Sequence, residues 1–227
     1  METRKEIEIF EGDRAIRYDN FISNFFPDYN LIMEIVPKIL SGQFSDKELL
    51  NILVVVCGTG NETKRLLDFN KNWRIDACDP SKEMIYIAKQ KLASYSNLNL
   101  INSTIEQVDT TYDAATLFLV LHFLTGDGAK QELLINICKR LKSGGKLIML
   151  DICGTQKELK KNFKILSSLF QEAWSEEEIK IRRERILNTL NVISEKRCIT
   201  LLKKPGFKTP IKFHQSTITR AWVATKK

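Results

Sequence analysis

Ten residues, Ile52-Leu53-Val54-Val55-Val56-Cys57-Gly58-Thr59-Gly60-Asn61, constrain the fold more than any other stretch of the chain. A β-branched apolar run without polar interruption reads as a strand buried on both faces, the pattern of a parallel sheet. The run stops at two glycines one residue apart. Glycine accepts φ > 0 and lets a ligand approach the backbone, so the strand is expected to feed a binding turn and then a helix.

A second strand, Arg74-Ile75-Asp76-Ala77-Cys78-Asp79-Pro80, ends in an acid. About 20 residues separate the two, the spacing at which a carboxylate takes the ribose hydroxyls of an adenosine ligand lying across the strand ends. Gly-x-Gly alone is equally a tight turn. Strand before, helix after and acid at the second strand end together argue for an adenosine-containing ligand. A dinucleotide pattern would want a third glycine where Thr63 stands, and a single adenosine does not need it.

Periodicity predicts helices over about 29–41, 61–70, 81–95 and 128–142. They alternate with strands over 52–57, 73–78, 98–102, 113–119 and 146–152. Such alternation means a parallel sheet with helices on both faces. Lys142-Ser143-Gly144-Gly145 is expected to close one helix with a glycine C-cap. Beyond Pro205-Gly206-Phe207, two short strands around 209–215 and 219–224 are close enough to pair antiparallel. The expected fold class is α/β: a Rossmann-like, seven-stranded, mostly parallel sheet with a C-terminal antiparallel hairpin. Leu159, Phe163, Leu166, Phe170 and Trp174 recur at helical steps, and Ser175-Glu176-Glu177-Glu178 is a capping box for a second helix carrying Ile179, Ile186, Leu190 and Ile193. Residues 155–195 therefore read as a helical lid insertion over the strand ends, or equally as a plain packing pair. One domain spanning 1–227 is expected, with an N-terminal helical cap over 1–45.

The 227 residues, 43% hydrophobic and 28% charged, suit one large globular domain. Met1-Glu2-Thr3-Arg4-Lys5-Glu6 lacks the apolar core of a signal peptide, and no apolar run approaches the roughly 18 residues of a membrane span. A cytoplasmic location without a membrane partner is expected. Five cysteines, with no Cys-x-x-Cys, read as reduced and mostly buried thiols, and no metal site is expected. Residues 1–153 carry 18 basic and 21 acidic side chains, leaving 17 and 7 for 154–227. A basic last third is a nucleic-acid footprint, a pocket for an anionic substrate, or a set of solvated helix faces.

The glycine loop, the acid ending the second strand, the Lys-Ser-Gly-Gly turn and the terminal hairpin together resemble the class I S-adenosylmethionine-dependent methyltransferases over nearly the whole chain. The resemblance implies S-adenosylmethionine as cofactor, with Val56, Cys57, Gly58 and Gly60 at its methionine and ribose part and Asp79-Pro80 at the ribose. It places Met84 over the adenine, Thr104 and Ile105 at the adenine edge, and Phe118 under the sulfur. Phe26-Pro27-Asp28-Tyr29, Leu187-Asn188 after Arg183, and the insertion itself are similar to the carboxy-S-adenosylmethionine synthase branch and its tRNA-modification relatives. There Tyr29 and Arg183 would hold carboxylates of a carboxylated cofactor, a task suited to the planar guanidinium fork.

Three positions depart from the family pattern: Val54 stands for an acid, Val56 for the first glycine and Thr104 for a later Asp. Methyl transfer from a sulfonium needs alignment more than acid–base help, so no catalytic residue is assigned. His122 would act as base only for a protonated acceptor, and His214 is given no role. Three readings follow. The first is a methyltransferase acting on a small, in one version anionic, molecule. The second is a carboxy-S-adenosylmethionine synthase-like or tRNA-modifying enzyme, with tRNA on the basic last third and a homodimer left open. The third is a methyltransferase-like binding protein without catalysis.

Overall fold

The computed structural model describes residues 10–170 and 174–227. Within them, β1 (Asn51–Val55), β2 (Arg74–Cys78), β3 (Leu98–Ile101), β4 (Tyr112–Phe118), β5 (Leu141–Ile152), β6 (Ile211–Gln215) and β7 (Thr219–Thr225) form one sheet of order β3-β2-β1-β4-β5-β7-β6. The first five strands are parallel, and β7 runs antiparallel to both β5 and β6. The expected seven-stranded sheet with its antiparallel C-terminal hairpin is therefore present.

At the centre, β1 pairs with β2 on one edge and β4 on the other, and Ile52, Leu53, Val54 and Val55 are all buried. Their side chains alternate between two cores. Ile52 and Val54 pack with α3 (Tyr29–Gln43) and α4 (Asn61–Phe69), whereas Leu53 and Val55 pack with α6 (Gly126–Arg140) and α9 (Glu195–Lys203). α5 (Lys82–Lys91) follows β2, capped by the Ser81 hydroxyl accepting from the Met84 N–H at 3.2 Å. α7 (Gln156–Ser168) and α8 (Glu176–Glu184) each begin with a capping box, Thr155 with Glu158 and Ser175 with Glu178. All five cysteines are buried and unpaired, and no described helix is long and apolar enough to cross a membrane.

Three details differ from the sequence expectation. α6 ends at Arg140, and Lys142–Gly145 belongs to β5 instead of capping the helix. The cause is Leu141, buried opposite Tyr112. A break in register follows, held by Asp113, whose carboxylate takes Lys142 at 3.0 Å and Lys47 at 2.9 Å. α8 does not run to Ile193; it loosens into a π-turn over Arg185–Thr189, and Ile193 bridges to Cys153. Two N-terminal helices, α1 (Asp13–Ile16) and α2 (Tyr18–Phe25), lie within the expected 1–45 cap ahead of the one helix placed there, and α9 was not anticipated.

Gly60, the N-cap of α4, has φ +84°, and a Cβ there would lie 2.7 Å from Leu92 Cδ1. Gly60→Ala is expected to cost about 1–3 kcal/mol, from a left-handed backbone and an overfilled contact. Urea denaturation should show a lower midpoint with an unchanged slope.

Candidate active site

Parallel strands deliver their carboxyl ends to one edge of the sheet, and the loops after β1, β2 and β4 meet there. After β1 the chain turns sharply, with φ +58° at Val56, +54° at Gly58 and +84° at Gly60. Val56 thus holds a glycine conformation with a branched side chain, a strain of about 1–2 kcal/mol that the surrounding structure must impose. Leu119, at the end of β4, is the other described non-glycine residue with positive φ, at +58°.

Asp79 fastens this edge together. Its Oδ2 accepts the Gly58 N–H at 2.8 Å and its Oδ1 the Ser81 N–H at 2.8 Å. Burial raises its pKa and the two amides pull it back. A carboxylate has about four acceptor positions, so two remain for the hydroxyls of a ribose. The donor set therefore fits an adenosine ligand.

Two small spaces flank the loop. One, of about 50 Å³, is bounded by Asp79, Pro80, Ser81 and Met84; the other, of about 20 Å³, by Tyr29, Cys57, Asn61 and Glu62. Val56, Gly58, Phe118, Leu119 and Tyr18 border both, so the two lie end to end along the loop. The fold thus brings together Tyr29, Val56, Cys57, Gly58, Asp79, Pro80, Met84 and Phe118, while Gly60 shapes the turn behind them. It does not bring in Thr104, which is exposed, or Ile105, which is buried in the second core.

The N-terminal segment roofs these spaces. The Ser81 hydroxyl donates to the Phe10 carbonyl at 2.7 Å, and the Phe10 ring meets Tyr18 and Phe123 edge-on. Asp19 of α2 accepts the Thr59 hydroxyl at 2.5 Å, the Asn61 amide at 2.9 Å and the Lys91 ammonium at 2.6 Å. One carboxylate therefore ties α2 to the glycine loop and to α5, and the cation beside it keeps its pKa low despite burial.

Beyond the roof opens a cavity of about 640 Å³ between α2 and the 174–190 segment. Its walls include Phe21, Phe25, Phe26, Phe123 and Trp174, with Arg17, Arg182 and Arg185. Arg182 lies over the Trp174 ring at 4.3 Å, and its buried Nε makes no hydrogen bond. Arg183, the sequence candidate, does not line this cavity. It stands half exposed, 3.8 Å from Glu184, because one residue along a helix turns the side chain by about 100°.

His122 reaches the cavity wall too. Its Nδ1 lies 2.6 Å from Asp151 Oδ1, and the other Asp151 oxygen accepts the Leu121 N–H at 2.7 Å. Glu62, Arg182 and Asp151 carried no functional signal in the sequence. The signal that existed for Glu62 was indirect, namely that Val54 leaves the family's acid without an heir. Glu62 is buried against the Thr116 hydroxyl, which donates to it, and burial pushes its pKa up to about 8.

These features define a class of protein, a doubly wound α/β fold whose loop after the first strand suits a nucleoside and adjoins a cavity walled by aromatic rings and arginines. The family model described as a methyltransferase domain matches residues 53–147. Carboxy-S-adenosyl-L-methionine synthase of Campylobacter jejuni is 29% identical over 210 residues, covering 88% of this chain and 86% of that protein. Among solved structures, magnesium protoporphyrin IX methyltransferase from Synechocystis superposes with a TM-score of 0.61 at 13% identity, covering 96% and 86% of the two chains. The pyocyanin biosynthetic protein PhzM gives a TM-score of 0.65 at 17% identity over 87% of this chain, which spans only 55% of PhzM. Residues 53–147 thus match a methyltransferase domain, and the chain has the fold of solved S-adenosylmethionine-dependent methyltransferases.

The buried Glu62 has a consequence for stability. Its carboxyl ionises near 4.5 when unfolded but near 8 in the folded protein, so between those values only the folded state holds the proton. Stability is expected to fall as pH rises from 4.5 to about 8 and then level off. Urea unfolding of Glu62→Gln across this range should show a flatter profile, with a residual slope of the same sign from Asp79.

Proposed function

We propose that the protein transfers a methyl group from S-adenosylmethionine to a small planar molecule that carries an acidic group and occupies the 640 Å³ cavity. The observation that carries this reading is the junction of the two compartments. Phe10, Tyr18, Leu119 and Phe123 belong to the walls of both the cavity and the space beside Asp79. A ligand on the glycine loop would thus present its reactive end to an acceptor across a short, apolar passage.

When bound, the cofactor supplies a methyl group already activated by the positive sulfonium. Asp79 would hold its ribose, Met84 would cover the adenine, and Tyr29, Cys57 and Gly58 would border its amino-acid end. Aromatic side chains offer flat surfaces to an acceptor, and Arg17 and Arg182 offer cations to its acidic group. His122 is suited to accept the proton of an acceptor hydroxyl at Nε2, because Asp151 engages Nδ1 and fixes the tautomer. The 155–195 segment would serve as the lid over the acceptor.

A second reading rests on the similarity to carboxy-S-adenosyl-L-methionine synthase. In it the cavity would take a carboxylate donor against Arg182, and Tyr29 would bind the carboxylated product. tRNA would enter through Lys157, Lys160, Lys161 and Lys164 of α7, and a homodimer would be the working assembly.

Calorimetry with S-adenosylmethionine, followed by transfer of a radiolabelled methyl group to hydroxylated aromatic acids, tests the first reading. His122→Gln should keep cofactor affinity and lose roughly 100- to 10,000-fold in turnover. Absence of binding at millimolar cofactor would sink both readings. A retained mass of the carboxylated cofactor in native mass spectra would favour the second.

A further inference from the structure

Val54 leaves a vacancy in the family's pattern, and the fold places a carboxyl group beside it. In the register of the central strands Val54 pairs with Thr116, so the two side chains point to the same face about 4.8 Å apart along the sheet. Thr116 donates its hydroxyl to Glu62. The carboxyl group that β1 lacks thus arrives from the first turn of α4, eight positions later in sequence and one strand away in space.

The surroundings of Glu62 suit a positively charged ligand. It borders the small space at the end of the glycine loop opposite Asp79, together with Tyr29, Cys57 and Asn61. Among the described residues no basic side chain pairs with it, and Thr116 is its hydrogen-bonding partner. A buried carboxylate without a cation is costly, so Glu62 keeps its proton; a cation delivered by a ligand relieves that cost, and the proton leaves to solvent as the ion pair forms. The position of α4 adds nothing of its own to this argument, since a helix N-terminus favours an anion with or without a ligand.

We propose that Glu62 receives the ammonium group at the amino-acid end of the cofactor, taking over the task of the acid missing at Val54. The inference rests on the cofactor reading above. It adds a direction to it: ribose on Asp79, methionine backbone running past Val56 and Gly58, ammonium on Glu62.

The test compares two ligands by calorimetry, S-adenosylhomocysteine, which carries the ammonium, and 5′-methylthioadenosine, which lacks the amino-acid end. Wild-type protein should bind the first more tightly. Glu62→Gln, nearly isosteric and still able to bond Thr116, should weaken S-adenosylhomocysteine by about 10- to 100-fold and leave methylthioadenosine within about twofold. Val54→Asp added to Glu62→Gln should recover part of the loss. Equal weakening of both ligands, or of neither, overturns the assignment of Glu62 while leaving the cofactor reading intact. Wild-type protein that binds neither ligand overturns both. Circular dichroism of Glu62→Gln confirms that the comparison is made on folded protein.

Discussion

Everything at the functional edge depends on the double pairing of β1. Hydrogen-bonded to β2 and β4 and covered on both faces, this strand has no freedom to slip, because a shift of one residue would exchange the side chains of its two cores. Its end is therefore a fixed point. The turn that follows is built against that point, with Asp79 gripping Gly58 from β2 and α4 starting at Gly60. The same rigidity holds Val56 in a backbone conformation that valine does not choose.

Around this anchor, polar groups are placed by their partners more than by their own helices. Asp19 joins three elements through Thr59, Asn61 and Lys91, and Asp151 sets the His122 ring from a neighbouring strand. Arg220, buried in β7, binds Glu158 and Glu195 and so ties α7 and the start of α9 to the sheet. Each carboxylate is satisfied by at least one cation or amide. Glu62 differs in having a hydroxyl and no cation, which is why burial acts on it so strongly.

The fold was legible because its signals are local. A buried strand is a short apolar run and a surface helix a repeat of three and four, and both survive in one dimension at β1, β2, β4 and α7. Boundaries were less legible where tertiary pairing decided them, as at Leu141, which leaves its helix to sit opposite Tyr112. The glycine loop and Asp79 were readable because their chemistry demands particular residue types at a fixed spacing. Glu62 and Arg182 were not. One looks like any acid in a first helical turn, the other like any member of an arginine run, and only contact with Thr116, 54 positions away, or with Trp174 sets them apart. Thr104 and Ile105 show the converse, since sequence position suggested a role that burial and exposure do not support.

The roof made by Phe10 and Tyr18 carries a thermodynamic consequence. Because these side chains form part of the wall of both compartments, a ligand that displaces them on one side alters the shape, and hence the affinity, of the other. Such coupling is reciprocal: whatever factor the first ligand imposes on the second, the second imposes on the first. In the proposed reaction the two halves of the site would thus be one linked equilibrium, set by a pair of aromatic rings that need touch neither reacting atom.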